Sequence, residues 1–332
     1  MKQLSEVKFS TLDLVPVRAD GNAARSLRNS LDLAQHVEKF GYTRFWVAEH
    51  HNMDGIASSA TAVLLSYLAG GTSTIRVGSG GVMLPNHAPL IIAEQFGTLE
   101  SLFPGRIDLG LGRAPGSDQL TARALRRERS GSADDFPDDV AELMRYLGPR
   151  TPDQRIIAMP GTGTNVPVWL LGSSLFSAQL AGERGLPYAF ASHFAPRYMH
   201  EAIRIYRNHF KPSAVLDKPY VMLGVPLVAA DTDEQADYLA TSVYQRILAL
   251  MRGQSLVQRP VETMNGLWLP HEKEAVGDFL GLAMVGGPQK IRARLEVLIE
   301  QTQADELIFT SDLYEHADRL RSYELLAQVM KG

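Results

Sequence analysis

Short apolar runs alternate with longer stretches of helical spacing along most of the chain. Residues 44–48, RFWVA, are typical of a buried strand, because apolar and aromatic side chains crowd into a short run. Residues 22–40 instead place Leu31, Ala34 and Val37 three or four positions apart, which predicts one apolar face of a helix. The pattern therefore predicts strands and helices in alternation.

Continued along the chain, the pattern predicts eight strands, each followed by a helix or a helical stretch. The strands are predicted at residues 7–12, 44–48, 75–84, 106–111, 166–171, 187–191, 220–229 and 306–310. The main helices are predicted at residues 22–40, 57–69, 89–102, 174–184, 196–210, 232–251, 286–301 and 313–330. Eight such pairs favour the α/β class, as a (β/α)8 TIM barrel. A doubly wound open sheet is the alternative, and the strand count argues against it.

Two polar stretches are too long for ordinary connections within a barrel. Residues 114–165 follow the fourth predicted strand, and residues 251–285 follow the helix after the seventh. Such connections usually have about 2–6 residues, so both stretches are interpreted as insertions or lids. We therefore expect residues 1–332 to form a single TIM-barrel domain with insertions after strands 4 and 7.

The predicted helix at residues 57–69 is apolar or small almost all round. An outer helix of a barrel should have one polar face, so something is expected to cover this one. An insertion of the same chain is one candidate, and a second copy of the chain is the other. We favour the second copy, which predicts a homo-oligomer, most simply a homodimer.

The composition limits the classes of function. The chain has 332 residues, 45% of them hydrophobic and 21% charged, which is enough to build a sizeable core. A net charge of −4 gives no reason to expect nucleic acid or a membrane as partner. The absence of cysteine excludes disulfides, thiolate metal sites and cysteine nucleophiles. No signal peptide or membrane-length apolar run is recognisable, so we expect a cytoplasmic protein.

Candidate chemistry follows the second predicted strand, at Glu49, His50 and His51. In a barrel of this kind the active site lies at the carboxyl ends of the strands. Neighbouring side chains on a strand point to opposite faces, so adjacent histidines make a poor metal pair, and we expect no metal. A histidine that only bonds a strand-end carbonyl is the structural alternative. At this rim, His50 is instead a candidate proton donor or acceptor near neutral pH.

Glycines are dense at the end of the third predicted strand, over residues 78–81. Glycine weakens a strand, so this density needs another reason. A tight bulge is one reason, and close approach of the backbone to a flat ligand is another. A cis peptide between Gly80 and Gly81 is also conceivable.

A phosphate site is predicted from the ends of the fourth and fifth strands. Arg113 ends the fourth strand, and Gly172, Ser173 and Ser174 open the helix after the fifth, with Ser177 one turn further on. A serine cap alone explains one of these residues. A guanidinium together with hydroxyls and free N–H groups at a helix start is better explained as an anion site.

Four motifs occur in one order along the chain. They are Ala48–Asn52 (AEHHN), Gly78–His87 (GSGGVMLPNH), Pro104–Arg113 (PGRIDLGLGR) and Leu171–Ser174 (LGSS). As a set they resemble the bacterial luciferase-like flavin-dependent monooxygenase family, in its single-chain bacterial branch. The resemblance covers nearly the whole chain and is strongest over residues 40–120 and 166–200.

The resemblance implies an oxidoreductase built on a (β/α)8 barrel. Such an enzyme takes reduced FMN from a separate flavin reductase, forms a flavin C4a-peroxide with oxygen, and oxidises a small organic substrate. His50 matches the family's catalytic histidine. Gly80 and Gly81 match a non-prolyl cis peptide against the isoalloxazine ring. Arg113 matches a phosphate-binding position.

The remaining implied positions complete a pocket. The phosphate-binding positions also include Gly172, Ser173 and Ser174, with Ser177 expected nearby. The pocket is expected to include Glu49, His51, Met83, Asn86 and His193. Residues 251–285 fall where luciferase has a mobile active-site loop.

Several alternatives stay open at this point. Gly112 stands where luciferase has a cysteine beside the flavin, so light emission from an aldehyde is not implied. An F420- or NAD(P)H-dependent oxidoreductase is a rival on the same fold. A non-catalytic flavin-binding protein is a second rival, and a metal-dependent hydrolase using His50 and His51 is a third.

Overall fold

Eight parallel strands close into a barrel in the computed structural model, which describes residues 2–114, 119–125 and 135–331. The described strands are β1 (Lys8–Asp13), β2 (Arg44–Val47), β3 (Arg76–Met83), β4 (Ile107–Gly112), β5 (Val168–Gly172), β6 (Tyr188–Phe190), β7 (Val221–Ala229), β8 (Met284–Gly286) and β9 (Glu306–Thr310), and all of these except β8 form the barrel. Neighbours pair from β1 through β7 in chain order, and β9 closes the ring between β7 and β1. The predicted TIM barrel is confirmed.

Helices separate the strands and pack around them. They are α1 (Ala23–Phe40), α2 (Thr61–Gly70), α3 (Pro89–Leu102), α4 (Gln119–Leu125), α5 (Phe136–Leu147), α6 (Leu175–Arg184), α7 (Met199–His209), α8 (Asp233–Met251), α9 (Pro270–Phe279), α10 (Pro288–Thr302) and α11 (His316–Lys331). Local sequence sets their ends: the Asn22 side chain accepts from Arg25 N at the start of α1, and Gly41 ends it with a φ of 85°. None of the helices described here is long and apolar enough to cross a membrane.

Helix α2 begins four residues later than the sequence pattern predicts. The preceding residues are instead tied to the loop after β1. Ala57 N donates to Val15 O at 3.1 Å, and Ile56 forms an isolated antiparallel bridge with Pro16. These tertiary bonds override the helical propensity of residues 57–60.

The second insertion contains more regular structure than the sequence indicates. Residues 253–285 read as irregular, yet they contain α9 and the short strand β8, which pairs with the end of β7 through Leu227 and Met284. Helix α9 buries only Val276, so it carries little apolar periodicity. Its start is fixed locally, because the Glu272 carboxylate accepts from Leu269 N at 2.7 Å.

A buried charge network forms the floor of the barrel, at the amino ends of the strands. Arg44 donates to Glu306 at 2.9 Å and to Asp108 at 2.8 Å. Arg76 donates to the second oxygen of Asp108 at 2.6 Å, and Tyr220 donates to Glu306 at 2.8 Å. Paired charges therefore close the barrel at the amino ends of its strands, and a cavity opens at the carboxyl ends.

Candidate active site

One large cavity of about 670 Å³ lies at the carboxyl ends of the barrel strands. Residues from the ends of β1–β7 and β9 line it, together with α8, the end of α9 and β8. Its walls are mainly apolar, and a small number of polar groups face into it. This is the position at which TIM barrels hold their active sites, and the size is within the range of ligand pockets.

His50 and His193 both line this cavity. His193 packs flat against Gly224: a Cβ added to Gly224 would lie 2.2 Å from His193 Nδ1. That nitrogen is buried without a hydrogen bond to any described residue. Burial, and after it the positive potential of the nearby His50, lowers the pKa of His193 to about 4. His193 is therefore a neutral imidazole at neutral pH.

Glu49 and His51 do not line the cavity, although the sequence places them in the pocket. Alternation along the chain after β2 turns His50 inward and Glu49 away from it. Glu49 Oε1 bonds His51 Nε2 at 2.9 Å and His87 Nε2 at 2.8 Å, and its other oxygen accepts from Met83 N at 3.2 Å. Burial alone would raise the pKa of Glu49, but these bonds outweigh burial and lower it.

The contacts of Glu49 join the ends of β2 and β3 behind the cavity wall. No separate feature of the sequence selected His87, although this residue ends the second motif, Gly78–His87, at the end of the third strand. The donor atoms of Glu49, His51 and His87 lie within 4.8 Å of one another, close enough in principle for a metal ion. In the described contacts the Glu49 carboxylate bonds both imidazoles, and these bonds brace the ends of β2 and β3.

Met83 lines the cavity, whereas Asn86 does not. Asn86 is buried at the end of a short 3₁₀ turn, Leu84–Asn86, that turns the chain away from the barrel mouth. The pocket predicted from sequence therefore includes Met83 and His193 among the lining residues and lacks Glu49, His51 and Asn86.

The peptide between Gly80 and Gly81 is cis, and both residues line the cavity. The pairing of β3 with β4 shifts register between Ser79 and Val82, so the bulge considered from the sequence is present. A Cβ on Gly81 would lie 2.8 Å from Gly110 O. Glycine is thus required here by the close packing of two strands, before any ligand is considered.

Arg113 and the start of α6 lie on adjacent strands at the cavity wall. Gly112 and Leu171 are register partners in β4 and β5, which brings the residues that follow each strand together. Arg113 stacks on Phe176, with Cζ 4.3 Å from the ring centroid, and has no ion pair within the described ranges. The Ser174 side chain caps nothing at the α6 start. A cation and helix N–H groups are therefore available to an anion.

Gly172, Ser173 and Ser177 complete this corner of the cavity. Ser177 is buried in the first turn of α6. A Cβ on Gly172 would lie 2.5 Å from Ser177 Oγ, so only glycine allows the hydroxyl to approach the strand end. All five residues predicted for phosphate binding thus line one cavity.

Sequence comparison agrees with this geometry. Residues 7–306 match the family described as luciferase-like monooxygenase. The chain belongs to the luciferase-like monooxygenase family. An Escherichia coli (strain K12) protein named luciferase-like monooxygenase is 51% identical over 324 residues, which cover 97% of each chain. Bacillus subtilis (strain 168) protein YvbT is 56% identical and covers 99% of this chain and 98% of its own.

Another relative and three solved structures extend the comparison. N-acetyl-S-alkylcysteine monooxygenase of Bacillus subtilis (strain 168) is 39% identical over 70% of each chain. Apo-MsnO8 superposes with a TM-score of 0.87 at 35% identity, covering 97% of this chain and 98% of its own. The FMN complex of the oxygenating constituent of 3,6-diketocamphane monooxygenase from Pseudomonas putida gives 0.72 at 15%, covering 97% of each chain. An F420-dependent secondary alcohol dehydrogenase gives 0.68 at 14%, covering 98% and 100%. The last two show the shared fold alone.

Gly112 lies close to a side chain of the neighbouring strand. A Cβ on Gly112 would lie 3.2 Å from Met83 Sδ. Because both residues line the cavity, the Met83 thioether occupies the space beside Gly112.

Sequence reasoning missed one charged pair in this cavity, Arg246 and Asp312. Both line it, and Arg246 Nη1 lies 3.0 Å from Asp312 Oδ2. Arg246 is on α8, and the apolar residues Val243 and Ile247, three positions before it and one after, are buried and line the same cavity. An arginine on the apolar face of a predicted helix was the available signal.

Proposed function

We propose that this protein is an FMN-dependent monooxygenase that uses reduced FMN and O2 to oxidise a small organic substrate. The observation that carries the proposal is the corner formed by Arg113 and the start of α6, at one side of an otherwise apolar cavity. A phosphate there gains charge-assisted hydrogen bonds, while the apolar walls suit a flat aromatic ring. These features fit a flavin mononucleotide.

In this proposal, different residues of the chain hold different parts of the cofactor. Arg113, Ser173, Ser174 and Ser177 hold the phosphate. Gly80 and Gly81, which line the cavity with bare backbone, support the ring face. Bound reduced FMN supplies the electrons and the oxygen chemistry, in which one oxygen atom goes to the substrate and the other leaves as water.

His50 is the group that moves a proton in this proposal. It lines the cavity, and an imidazole is a side chain suited to giving and taking a proton. His193 stays neutral, so the two imidazoles do not compete as charged groups. The apolar walls exclude bulk water from the place where bound reduced FMN would react with oxygen.

The catalytic assignment is tested with His50→Ala. We expect FMN affinity within about twofold of the wild type and loss of substrate oxidation by about a hundredfold or more, since a general acid–base group contributes about 10²–10⁴ in rate. Product formation under saturating FMNH2 and flavin titration are the two measurements. Full oxidation by the variant contradicts the role of His50.

The cofactor is tested by titrating FMN and F420 separately into the protein. The FMN assignment predicts tighter binding of FMN. The second candidate, an F420-dependent oxidoreductase, is favoured by the dehydrogenase of the same fold. Preferential binding of F420, with hydride transfer in the absence of O2, establishes that alternative and removes the FMN proposal.

The candidate substrates are suggested by the relative named N-acetyl-S-alkylcysteine monooxygenase, which is 39% identical over 70% of each chain. We propose thioethers of this kind as first substrates, supplied with FMNH2 from a separate flavin reductase. Oxygen-dependent formation of the oxidised product, analysed by mass spectrometry, also separates an enzyme from a protein that only stores flavin. Tight flavin binding without any oxidised product across the series supports the storage protein.

A further inference from the structure

Arg246 is the most deeply buried cation in the described wall of the cavity. It lies on α8 and is 1% exposed. Val243 and Ile247 flank it on the same helix face and line the same cavity. Burying a guanidinium in an apolar wall costs free energy unless its N–H donors have acceptors. The contacts of Arg246 therefore show which acceptors it has and which a bound molecule could supply.

Asp312 is the ion-pair partner of Arg246, and it satisfies the guanidinium only in part. Their closest atoms, Nη1 and Oδ2, are 3.0 Å apart. Nη1 is nevertheless buried without an aligned hydrogen bond to any residue in the described ranges. A guanidinium has five N–H donors. The charge of Arg246 is therefore neutralised, while no described residue accepts a hydrogen bond from its guanidinium, and the residue lines the cavity.

The pair lies away from the phosphate corner. Around the barrel, β9 and β4 are four strands apart, so Asp312, just after β9, stands across the cavity from Arg113, just after β4. The wall beside Arg246 is formed by α8, α9 and β8, with Phe279, Leu280 and Val285 among its apolar side chains. A molecule bound there has an apolar body.

Charge balance selects the kind of acceptor. Asp312 already matches Arg246, and the neighbouring Arg319 is matched by Asp13 at 2.7 Å. A second carboxylate would place an unmatched negative charge in an apolar wall, whereas a neutral oxygen takes the donors without that cost.

We propose that Arg246, held by Asp312, binds an uncharged carbonyl oxygen of the substrate, such as an amide, ester or ketone oxygen, and that the part of the substrate next to this oxygen is apolar. The N-acetyl oxygen of the thioethers proposed above is of this kind. This inference rests on the proposed function in one respect, which is that the molecule bound beside Arg246 is the substrate of the proposed enzyme. Arg246 is then the residue that sets which end of the substrate lies away from the phosphate corner.

Binding of three matched probes tests the proposal without any turnover. Octanamide, octanoate and n-octylamine share one alkyl chain and differ in the head group. Calorimetric titration of the FMN-loaded protein is expected to rank octanamide tightest. Arg246→Met is expected to weaken octanamide by about tenfold, the loss of one hydrogen bond to a charged group. The matched control Arg252→Met, at the exposed end of α8, is expected to change nothing.

Asp312→Asn provides the second variant. It removes the neutralising charge and keeps the side-chain shape, so octanoate is expected to overtake octanamide. Tightest binding of octanoate by the wild type, or octanamide binding by Arg246→Met as tight as that by the wild type, overturns the proposal. Weaker FMN binding with unchanged probe binding in Arg246→Met makes Arg246 a flavin ligand and also overturns it. Because no oxygen chemistry is measured, a failed oxygenase assay leaves these outcomes interpretable.

Discussion

Arg113 shows how a single residue carries the cofactor assignment. Its guanidinium stacks on Phe176 and has no carboxylate partner among the described residues. Arg113→Ala is therefore expected to weaken FMN binding by about tenfold or more, since a charge-assisted hydrogen bond is worth about 1.5–3 kcal/mol. Flavin fluorescence titration measures the affinity, with exposed Arg204→Ala as the matched control. Unchanged affinity for FMN refutes the phosphate corner.

His193 makes a prediction about pH and stability. Its pKa falls from an ordinary 6.5 to about 4 in the folded protein, so the unfolded chain binds the proton more readily. The stability that this neutral imidazole contributes is complete above pH 6.5 and is lost as the pH falls towards 4. Urea unfolding is therefore expected to show a smaller loss of stability over this range for His193→Asn than for the wild type. The exposed His200→Asn is the control, and identical pH profiles for wild type and His193→Asn refute the assignment.

At the scale of elements, the floor network predicts a large effect far from the cavity. Arg44→Met leaves Asp108 and Glu306 buried without their shared cation. Breaking a buried ion pair by removing one partner costs about 3–5 kcal/mol. Urea unfolding should reveal that loss, while FMN affinity stays unchanged, because the network lies at the opposite end of the barrel. The exposed Arg252–Glu272 pair is the comparison, since removing such a pair costs about 1 kcal/mol or less.

The elements also show how far the sequence alone leads. Strands with continuous apolar runs, such as β7 and β9, are predicted within one residue because both faces are buried. Helix α9 is missed since it buries one side chain. The floor network is missed for another reason: Arg44 and Glu306 are 262 positions apart, and no local pattern indicates that they meet.

The candidate site divides in the same way. Arg113 and the Gly172–Ser174 turn were predictable because parallel neighbours bring the residues after their strands together. The sequence did not predict that His50 faces the cavity while Glu49 faces away from it, because this depends on the backbone conformation after β2. Arg246 and Asp312 meet only in the tertiary structure. The arginine on the apolar face of α8 was a signal for a buried cation, but nothing in the local sequence indicated its partner.

For the whole molecule, one exposed apolar surface predicts self-association. The α2–α3 patch consists of Val63, Tyr67, Ile91 and Leu102, on two helices that contact each other. Val63 is 73% exposed. We expect a dimer in sedimentation velocity and a shift towards monomer for Val63→Lys. Val297→Lys, at a 51% exposed valine on α10, is the matched control. A wild type that sediments as a dilute monomer contradicts the prediction.

The central claim is that this barrel binds reduced FMN and directs its reaction with oxygen. Stopped-flow absorbance tests it most directly, by mixing the anaerobic protein loaded with FMNH2 against oxygenated buffer. The account predicts a transient species distinct from reduced and oxidised FMN, which decays more slowly than free FMNH2 reoxidises and is lost in Arg113→Ala through weaker flavin binding. Reoxidation in one phase, at the rate of free FMNH2 and unaffected by the protein, contradicts it.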